Sequence, residues 1–86
     1  MNTKNFIQAS INERDRAIKL FPKSDHVLLA LNEEHGELVK AIMDHKYGKG
    51  SIEDVRSEAI QVMAMILRLV EEGDPTINLP PIVEKS

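Results

Sequence analysis

The stretch 32–38 (NEEHGEL) carries three carboxylates, Glu33, Glu34 and Glu37, inside a run of helix-forming residues. At 3.6 residues per turn, all three side chains lie on one helix face. Like charges at this spacing repel one another, so a helix gains no local stability from them. A bound cation explains the arrangement, because Mg²⁺ prefers carboxylate oxygens, completed by water and substrate phosphates. A solvated acidic face is the alternative.

Two further residues of this stretch bear on the choice. Gly36 is unexpected, because a glycine inside an exposed helix costs about 0.5–1 kcal/mol relative to alanine. It therefore predicts that another backbone or a ligand approaches this side of the helix closely. His35 lies on the apolar side of the same helix and is expected to pack there rather than to bind a ligand.

Length and composition place these residues in a single domain, spanning residues 1–86. The chain has 86 residues, of which 42% are apolar but only 3% aromatic, and this favours an aliphatic core between packed helices. A chain of this length buries only about 60–65% of the surface that its unfolded form exposes. Oligomerisation is therefore the most available source of further burial.

Charge, cysteine content and hydropathy indicate in which compartment the protein is expected and which classes of partner it binds. The 11 basic and 14 acidic residues are interspersed and give a net charge of −3, which argues against a nucleic-acid partner. Cysteine is absent, which fits a reducing compartment. No window reaches the ~18 apolar residues of a membrane span, and the N-terminus has no apolar run of the signal-peptide type. We expect a cytoplasmic protein with no membrane partner.

The pattern predicts an all-α fold with three main helices, at residues 3–20, 25–47 and 52–72, and a tail at 74–86. In chain order, the expected caps are Asn2 or Thr3, Ser24 or Asp25, and Ser51 with Asp54. The third helix is apolar over more than half of its circumference, which predicts contacts with its own chain and with a partner. Since the tail contains Pro80-Pro81, we expect it to be extended over a neighbouring surface, with a disordered end as the alternative.

A basic loop and a second polar pair follow the acidic helix. The connection 45–50 (HKYGKG) carries Lys46 and Lys49, which could meet phosphates. On the third helix, Glu58 and Gln61 are one turn apart and can reach the same point. A solvated turn and an ordinary solvent edge are the respective alternatives.

Together these residues resemble a known family. The pattern Glu33-Glu34-x-x-Glu37, a basic loop and a helix carrying Glu58 resemble the EExxE…ExxD signature of the MazG-like, all-α nucleoside triphosphate pyrophosphatases. The resemblance covers about residues 25–73. It implies a helical bundle completed as a homodimer or homotetramer, and a reaction that splits NTP or dNTP into NMP and pyrophosphate.

The resemblance also implies roles for individual residues. The implied catalytic acids, which would hold Mg²⁺ with Mn²⁺ as a substitute ion, are Glu33, Glu34, Glu37 and Glu58. Gln61 stands where the signature has Asp, and it is a weaker ligand because its amide oxygen carries no charge. The candidate residues for binding the nucleoside triphosphate, through the leaving pyrophosphate, are Lys40, Lys46 and Lys49.

Two functions remain open at this point. The first is Mg²⁺-dependent pyrophosphohydrolysis of a nucleoside triphosphate, with a house-cleaning role on noncanonical or surplus deoxynucleotides. The second is a non-catalytic helical dimerisation or regulatory module, which keeps the fold but has a metal site weakened at Gln61. Many relatives have a further helix where this chain has its tail, so a partner subunit is expected to complete the nucleotide pocket, with an incomplete pocket as the alternative.

Overall fold

A computed structural model describes residues 1–85 of the chain, and these residues are all-helical. The helices are α1 (Thr3–Leu20), α2 (Val27–Lys46) and α3 (Ile52–Glu72), followed by a 3₁₀ helix at Pro75–Ile77. The predicted all-α class with three main helices is therefore confirmed. Ser86, the last residue of the predicted tail, lies outside the described residues. Of the three α-helices in residues 1–85, none has the length and apolar character needed to cross a membrane.

The central helix of the fold is α3, which packs on both of the others. α2 and α3 are joined by a short loop and run antiparallel. α1 runs in the same direction as α3, since Phe6 lies near Arg56 and Arg14 contacts Glu71 further along both helices. Within residues 1–85, α1 and α2 do not pack against each other. A cleft therefore opens between them, with α3 as its floor.

The core contains few apolar side chains and several charged ones. Its buried apolar residues are Val27, Ala64 and Met65. Arg14 donates two hydrogen bonds of 2.9 Å to the Glu71 carboxylate, and each of these side chains is less than 10% exposed. Arg68 is also buried, and it donates to backbone carbonyl oxygens of the α1–α2 connection. Charge-assisted hydrogen bonds therefore fix the register of α1 on α3.

Local capping explains where α1 and α3 begin, as predicted. The Asn2 side chain accepts a hydrogen bond from the Asn5 N–H at 2.8 Å. Ser51 and Asp54 form a reciprocal capping box at the start of α3. Each arrangement satisfies N–H groups that the first helical turn leaves without a partner.

The cap of α2 is different from the one predicted. α2 begins at Val27, two residues later than expected, and its N-terminal N–H groups are bound by Asp74 from the other end of the chain. Asp74 is completely buried, and its carboxylate accepts from the N–H groups of His26 and Leu28 at 3.2 and 3.0 Å. The N–H and hydroxyl of Thr76 donate to the same carboxylate. The expected cap at Ser24 or Asp25 is therefore wrong, because a distant carboxylate takes that role.

The tail folds back onto α3 rather than extending away from it. Asp74 and Leu79 form an isolated antiparallel bridge around the 3₁₀ helix. Further on, the N–H groups of Ile82 and Val83 donate to the Val70 carbonyl oxygen at 2.8 and 3.1 Å. The first half of the tail is thus not extended, because Asp74 folds it into a turn that also caps α2.

We expect Asp74→Asn to lower the melting temperature at pH 7, and Asp25→Asn, beside the same helix end, to leave it unchanged. Hydrogen bonds from Thr76 and then from Leu28 lower the pKa of Asp74 from 3.8 to about 2. The ionised group thus adds stability above pH 3.8, and this is lost as the pH falls towards 2. Circular dichroism melts at pH 7 and pH 2 measure the difference. Equal melting temperatures for both variants at pH 7 would contradict the cap.

Candidate metal centre

Three of the predicted acids meet where α2 packs on α3. Glu34 and Glu37 come from successive turns of α2, and Glu58 comes from the facing side of α3. One carboxylate oxygen from each of the three lies within 4.8 Å of the others. Two ligands of a single Mg²⁺ are separated by at most roughly 4.2 Å, because Mg–O distances are about 2.1 Å. Small side-chain rotations would therefore bring these oxygens onto a common ion.

The burial of two of these carboxylates fits a cation better than a solvated face. One oxygen of Glu34 and one of Glu58 are buried without a hydrogen-bond partner among residues 1–85. A buried, unpaired carboxylate oxygen is costly unless a donor or a cation pairs with it. Water does not reach these two oxygens, although the Glu34 and Glu58 residues as a whole are partly exposed. A hard divalent ion prefers carboxylate oxygens as ligands, and its positive charge would pair with these two oxygens.

The pKa values of Glu34 and Glu58 are both raised, as expected for carboxylates that are buried close together. Burial raises the pKa of Glu34, and repulsion from Glu37 and then from Glu58 raises it further. Burial also raises the pKa of Glu58, with repulsion from Glu37 next in importance. Without a cation, Glu34 and Glu58 therefore hold their protons more tightly in the folded chain than their ordinary pKa values would predict.

We expect the metal-free protein to lose stability as the pH rises above 4.5, and Mg²⁺ to restore it. Glu34 and Glu58 hold protons more tightly in the folded chain than in the unfolded one. Their ionisation, which is complete only above the raised folded pKa values, therefore disfavours folding. Thermal melts at pH 4.5 and pH 7.5, with EDTA or with millimolar Mg²⁺, test this. A melting temperature insensitive to Mg²⁺ at pH 7.5 would contradict a metal site.

Two other residues of the acidic stretch lie differently from expectation. Glu33 is exposed and is not one of the three clustered acids. Its charge is the last and smallest contribution to the raised pKa of Glu34. At Gly36, no atom of residues 1–85 lies within 4 Å of the position that a Cβ would take. No other part of the backbone in residues 1–85 therefore approaches Gly36, so that half of the interpretation is wrong, and the approach of a ligand stays a prediction.

Gln61 is held by a residue that the sequence patterns do not mark. Its Nε2 donates a 3.0 Å hydrogen bond to Oε1 of Glu13 on α1. Glu13 is only 13% exposed and is also bound by Arg16, one turn along α1. The one signal available in the sequence is the three-residue spacing of Glu13 and Arg16, which is common on helix surfaces. It does not predict that α1 reaches the site.

Two cavities adjoin the three carboxylates. The α1–α2 cleft has a volume of about 260 Å³, and Glu34, Gln61 and Met65 are among its lining residues. The second, which we call the loop-side cavity, has a volume of about 400 Å³ and lies between α2, α3 and the loop that joins them. Glu37 and Glu58 line this second cavity. The acidic cluster therefore borders both spaces.

Two of the three predicted lysines line the loop-side cavity. Lys40 and Lys49 both line it, and the Lys40 ammonium makes a 2.8 Å ion pair with Asp44. Lys46 does not line this cavity, and its Nζ lies 5.3 Å from the centroid of the Tyr47 ring. An anionic group in the loop-side cavity would therefore meet Lys40 and Lys49.

Comparisons of the chain with family models, with curated proteins and with solved structures gave no match. The function must therefore be inferred from the residues of the site. Three carboxylates with two unpaired buried oxygens adjoin a cavity that carries two lysines. This arrangement is chemically suited to holding a divalent cation beside an anionic ligand.

Proposed function

We propose that the chain is a Mg²⁺-dependent, MazG-like nucleoside triphosphate pyrophosphohydrolase, which converts NTP or dNTP into NMP and pyrophosphate. The observation that carries the proposal is the group formed by Glu34, Glu37 and Glu58, whose oxygens lie within 4.8 Å of one another. Two of the three acids have a buried oxygen with no partner in residues 1–85. Control of noncanonical or surplus deoxynucleotides is the corresponding cellular role.

The two cavities suggest how a nucleoside triphosphate would lie. At about 260 Å³ the α1–α2 cleft is slightly below the roughly 300–1,000 Å³ of typical ligand pockets, so it suits a nucleoside rather than a whole triphosphate. The loop-side cavity carries Lys40 and Lys49 among four carboxylates, so it would suit the β- and γ-phosphates once a divalent ion offsets that negative charge. Since Glu34 lines the first space and Glu37 the second, the α-phosphate would lie beside the carboxylates.

The proposed reaction is a water attack on the α-phosphorus. The water oxygen forms a bond to the α-phosphorus while the bond from this phosphorus to the α–β bridging oxygen breaks. The bridging oxygen leaves with pyrophosphate, and the water proton is released to solvent. Glu34, Glu37 and Glu58 would hold a divalent ion beside the reacting phosphate. When bound, such an ion would neutralise triphosphate charge and lower the pKa of the attacking water. Lys40 and Lys49 stabilise the charge that develops on the departing pyrophosphate.

A second candidate function is a non-catalytic dimerisation or regulatory module. The position of Gln61 favours it, because the amide faces Glu13 and does not add a fourth carboxylate to the cluster. A three-carboxylate site binds Mg²⁺ less strongly than one with an additional acid. Metal binding without turnover would be the result that this second function predicts.

The two functions can be separated with the purified chain. A panel of NTPs and dNTPs is incubated with Mg²⁺, and NMP, pyrophosphate and orthophosphate are measured by ion chromatography. We expect NMP and pyrophosphate in equal amounts, and no products when EDTA is present. Calorimetric titration with Mg²⁺ accompanies the assay. Binding without products would favour the module, and neither binding nor products would overturn the enzyme.

Oligomerisation is the second part of the proposal, and exposed apolar residues support it. A stripe on α2 and a stripe on α3 lie side by side, with the exposed residues Leu28, Val39, Ile42, Ile52 and Ile66. Between them runs an apolar groove of about 330 Å³, to which His35 also contributes. Three buried apolar residues are few for a chain of this length, and a second copy on this face would enlarge the core.

We expect light scattering of the purified chain at micromolar concentration to give the mass of a homodimer or homotetramer. Ile66→Glu, which places a charge in the groove, should shift the mass to that of a monomer. Ile77→Glu is the matched control, because Ile77 is 47% exposed on the 3₁₀ helix outside the groove, and Ile66 is 37% exposed. A monomeric wild-type mass would contradict the proposed assembly.

A further inference from the structure

The hydrogen bond between Glu13 and Gln61 fixes which way the Gln61 amide points. The Glu13 carboxylate accepts hydrogen bonds of 3.0 and 2.8 Å from Nε of Arg16, with which it forms an ion pair. An ionised carboxylate only accepts hydrogen bonds. The end of Gln61 that faces Glu13 is therefore its NH₂ group, at 3.0 Å. The amide oxygen, on the other side of the same carbon, has no hydrogen-bond donor among residues 1–85.

Helix spacing and the α1–α2 cleft both place Gln61 near acids of the cluster. Gln61 is one turn beyond Glu58 on α3, so the two side chains project from the same face of the helix. Gln61 also lines the α1–α2 cleft together with Glu34. Amide oxygens are suitable ligands for hard cations, although they carry no net charge. Gln61 can therefore act at this site in one of its two orientations only.

We infer that Glu13 is a positioning residue, which holds Gln61 so that its amide oxygen serves as a fourth ligand beside Glu34 and Glu58. This inference rests on the proposed divalent-ion site. In metal sites, a residue that hydrogen-bonds to a metal ligand fixes the orientation of that ligand and increases its basicity.

A purely structural role for Glu13 predicts a different result. The α1–α3 contact is already held by the buried pair Arg14–Glu71 and by Arg68. If the Glu13–Gln61 bond only added to this contact, its loss would lower the melting temperature and leave metal affinity unchanged. If Glu13 positions Gln61, its loss weakens metal binding in a chain that remains folded.

The test is Mn²⁺ binding, followed by electron paramagnetic resonance of the free ion. We expect Glu13→Gln to bind Mn²⁺ about 10-fold more weakly than the wild type, the lower end of the effect of removing an outer partner. Arg16→Gln is the matched control on α1, because it leaves the Glu13–Gln61 bond in place, and its affinity should be equal to or above that of the wild type. The double variant Glu13→Gln/Gln61→Glu should return to at least wild-type affinity, since it exchanges the two partners.

The outcomes separate this inference from the proposed function. A wild-type chain that binds no Mn²⁺ would overturn both. If Glu34→Gln abolishes binding while Glu13→Gln binds as the wild type does, the site stands and the role of Glu13 is overturned. If Glu13→Gln does not fold, the inference is tested instead by titrating the wild type with Mg²⁺ and recording NMR spectra. The Gln61 side-chain amide signals are expected to shift on saturation, and unchanged signals would overturn the inference.

Discussion

Replacing Glu37 by glutamine is expected to reduce kcat/KM for pyrophosphohydrolysis at least roughly 100-fold, since even outer partners of metal ligands cost about 10–100-fold. Glu37 belongs to the three-carboxylate group and also lines the loop-side cavity. Its side chain is exposed, so a nearly isosteric amide removes a charge without opening the core. Steady-state assays with Mg²⁺ and the preferred nucleotide measure the effect.

The same substitution should raise the stability of the metal-free protein. Repulsion from Glu37 is the second cause, after burial, of the raised pKa values of Glu34 and Glu58. Its removal therefore relieves the folded state at neutral pH. A higher melting temperature in EDTA together with lost activity would show that the three carboxylates destabilise the fold but are needed to bind the ligand.

Glu33→Gln is the matched control for Glu37→Gln. It removes the same charge from the same helix, but Glu33 is exposed and outside the three-carboxylate group. We expect little change in kcat/KM, because exposed charges act weakly through water. Equal losses in the two variants would indicate a general effect of charge, and full activity in Glu37→Gln would refute the ligand assignment.

The acidic group could be predicted from the sequence because helix geometry is local. Residues three or four apart share a face, so Glu34 and Glu37 could be placed together without knowledge of the fold. A short loop between two helices makes them antiparallel neighbours, which brings Glu58 to the same place. Period and loop length thus predict that the three carboxylates are close together, whereas the choice of a metal site over a solvated face depends on the family resemblance.

Contacts made by α1 and by the tail could not be predicted in the same way. Glu13 and Gln61 are 48 positions apart, and their meeting depends on the register of α1 along α3. That register is set by Arg14 with Glu71, a pair that leaves no periodic signal in the sequence. Asp74 is a comparable case: an Asp followed by Pro predicts a turn, but not that its carboxylate caps a helix that starts 47 positions earlier.

Gly36 shows the limit of arguments from helix propensity. A penalty of about 0.5–1 kcal/mol shows that the position is not optimised for helix stability. It does not identify what, if anything, lies beside it. In residues 1–85 the space beside Gly36 is open. A methyl group there should therefore stabilise α2, unless a second copy of the chain occupies that space.

Gly73→Ala is expected to have the largest effect on stability, lowering the free energy of unfolding by about 3 kcal/mol or more. Gly73 has φ 73° and ψ −166°, a conformation that is almost exclusive to glycine. A Cβ there would lie 2.2 Å from the Leu79 carbonyl oxygen and 2.8 Å from the Pro80 carbonyl carbon. Both are backbone atoms, so no side-chain rotation relieves the overlap.

The substitution is also expected to destabilise the start of α2, because Gly73 directly precedes Asp74, the residue that caps α2. If the chain shifts at Gly73, Asp74 moves away from the N–H groups of His26 and Leu28, which it binds at 3.2 and 3.0 Å. For a domain of this size, 3 kcal/mol corresponds to a fall in melting temperature of roughly 12–24 °C. Hydrogen exchange should show faster exchange at the Leu28 amide first, since it loses its acceptor directly.

Gly36→Ala is the control of opposite sign, because it adds the same methyl group at a helical glycine with open space around it. We expect a gain of about 0.5–1 kcal/mol in the free energy of unfolding. Denaturant titrations of both variants, at concentrations spanning the assembly of the wild type, compare the two glycines. If Gly73→Ala is as stable as the wild type, the proposed importance of the contact between Asp74 and the start of α2 is refuted. If Gly36→Ala destabilises only the assembled form, the open space beside α2 belongs to the interface with a second copy.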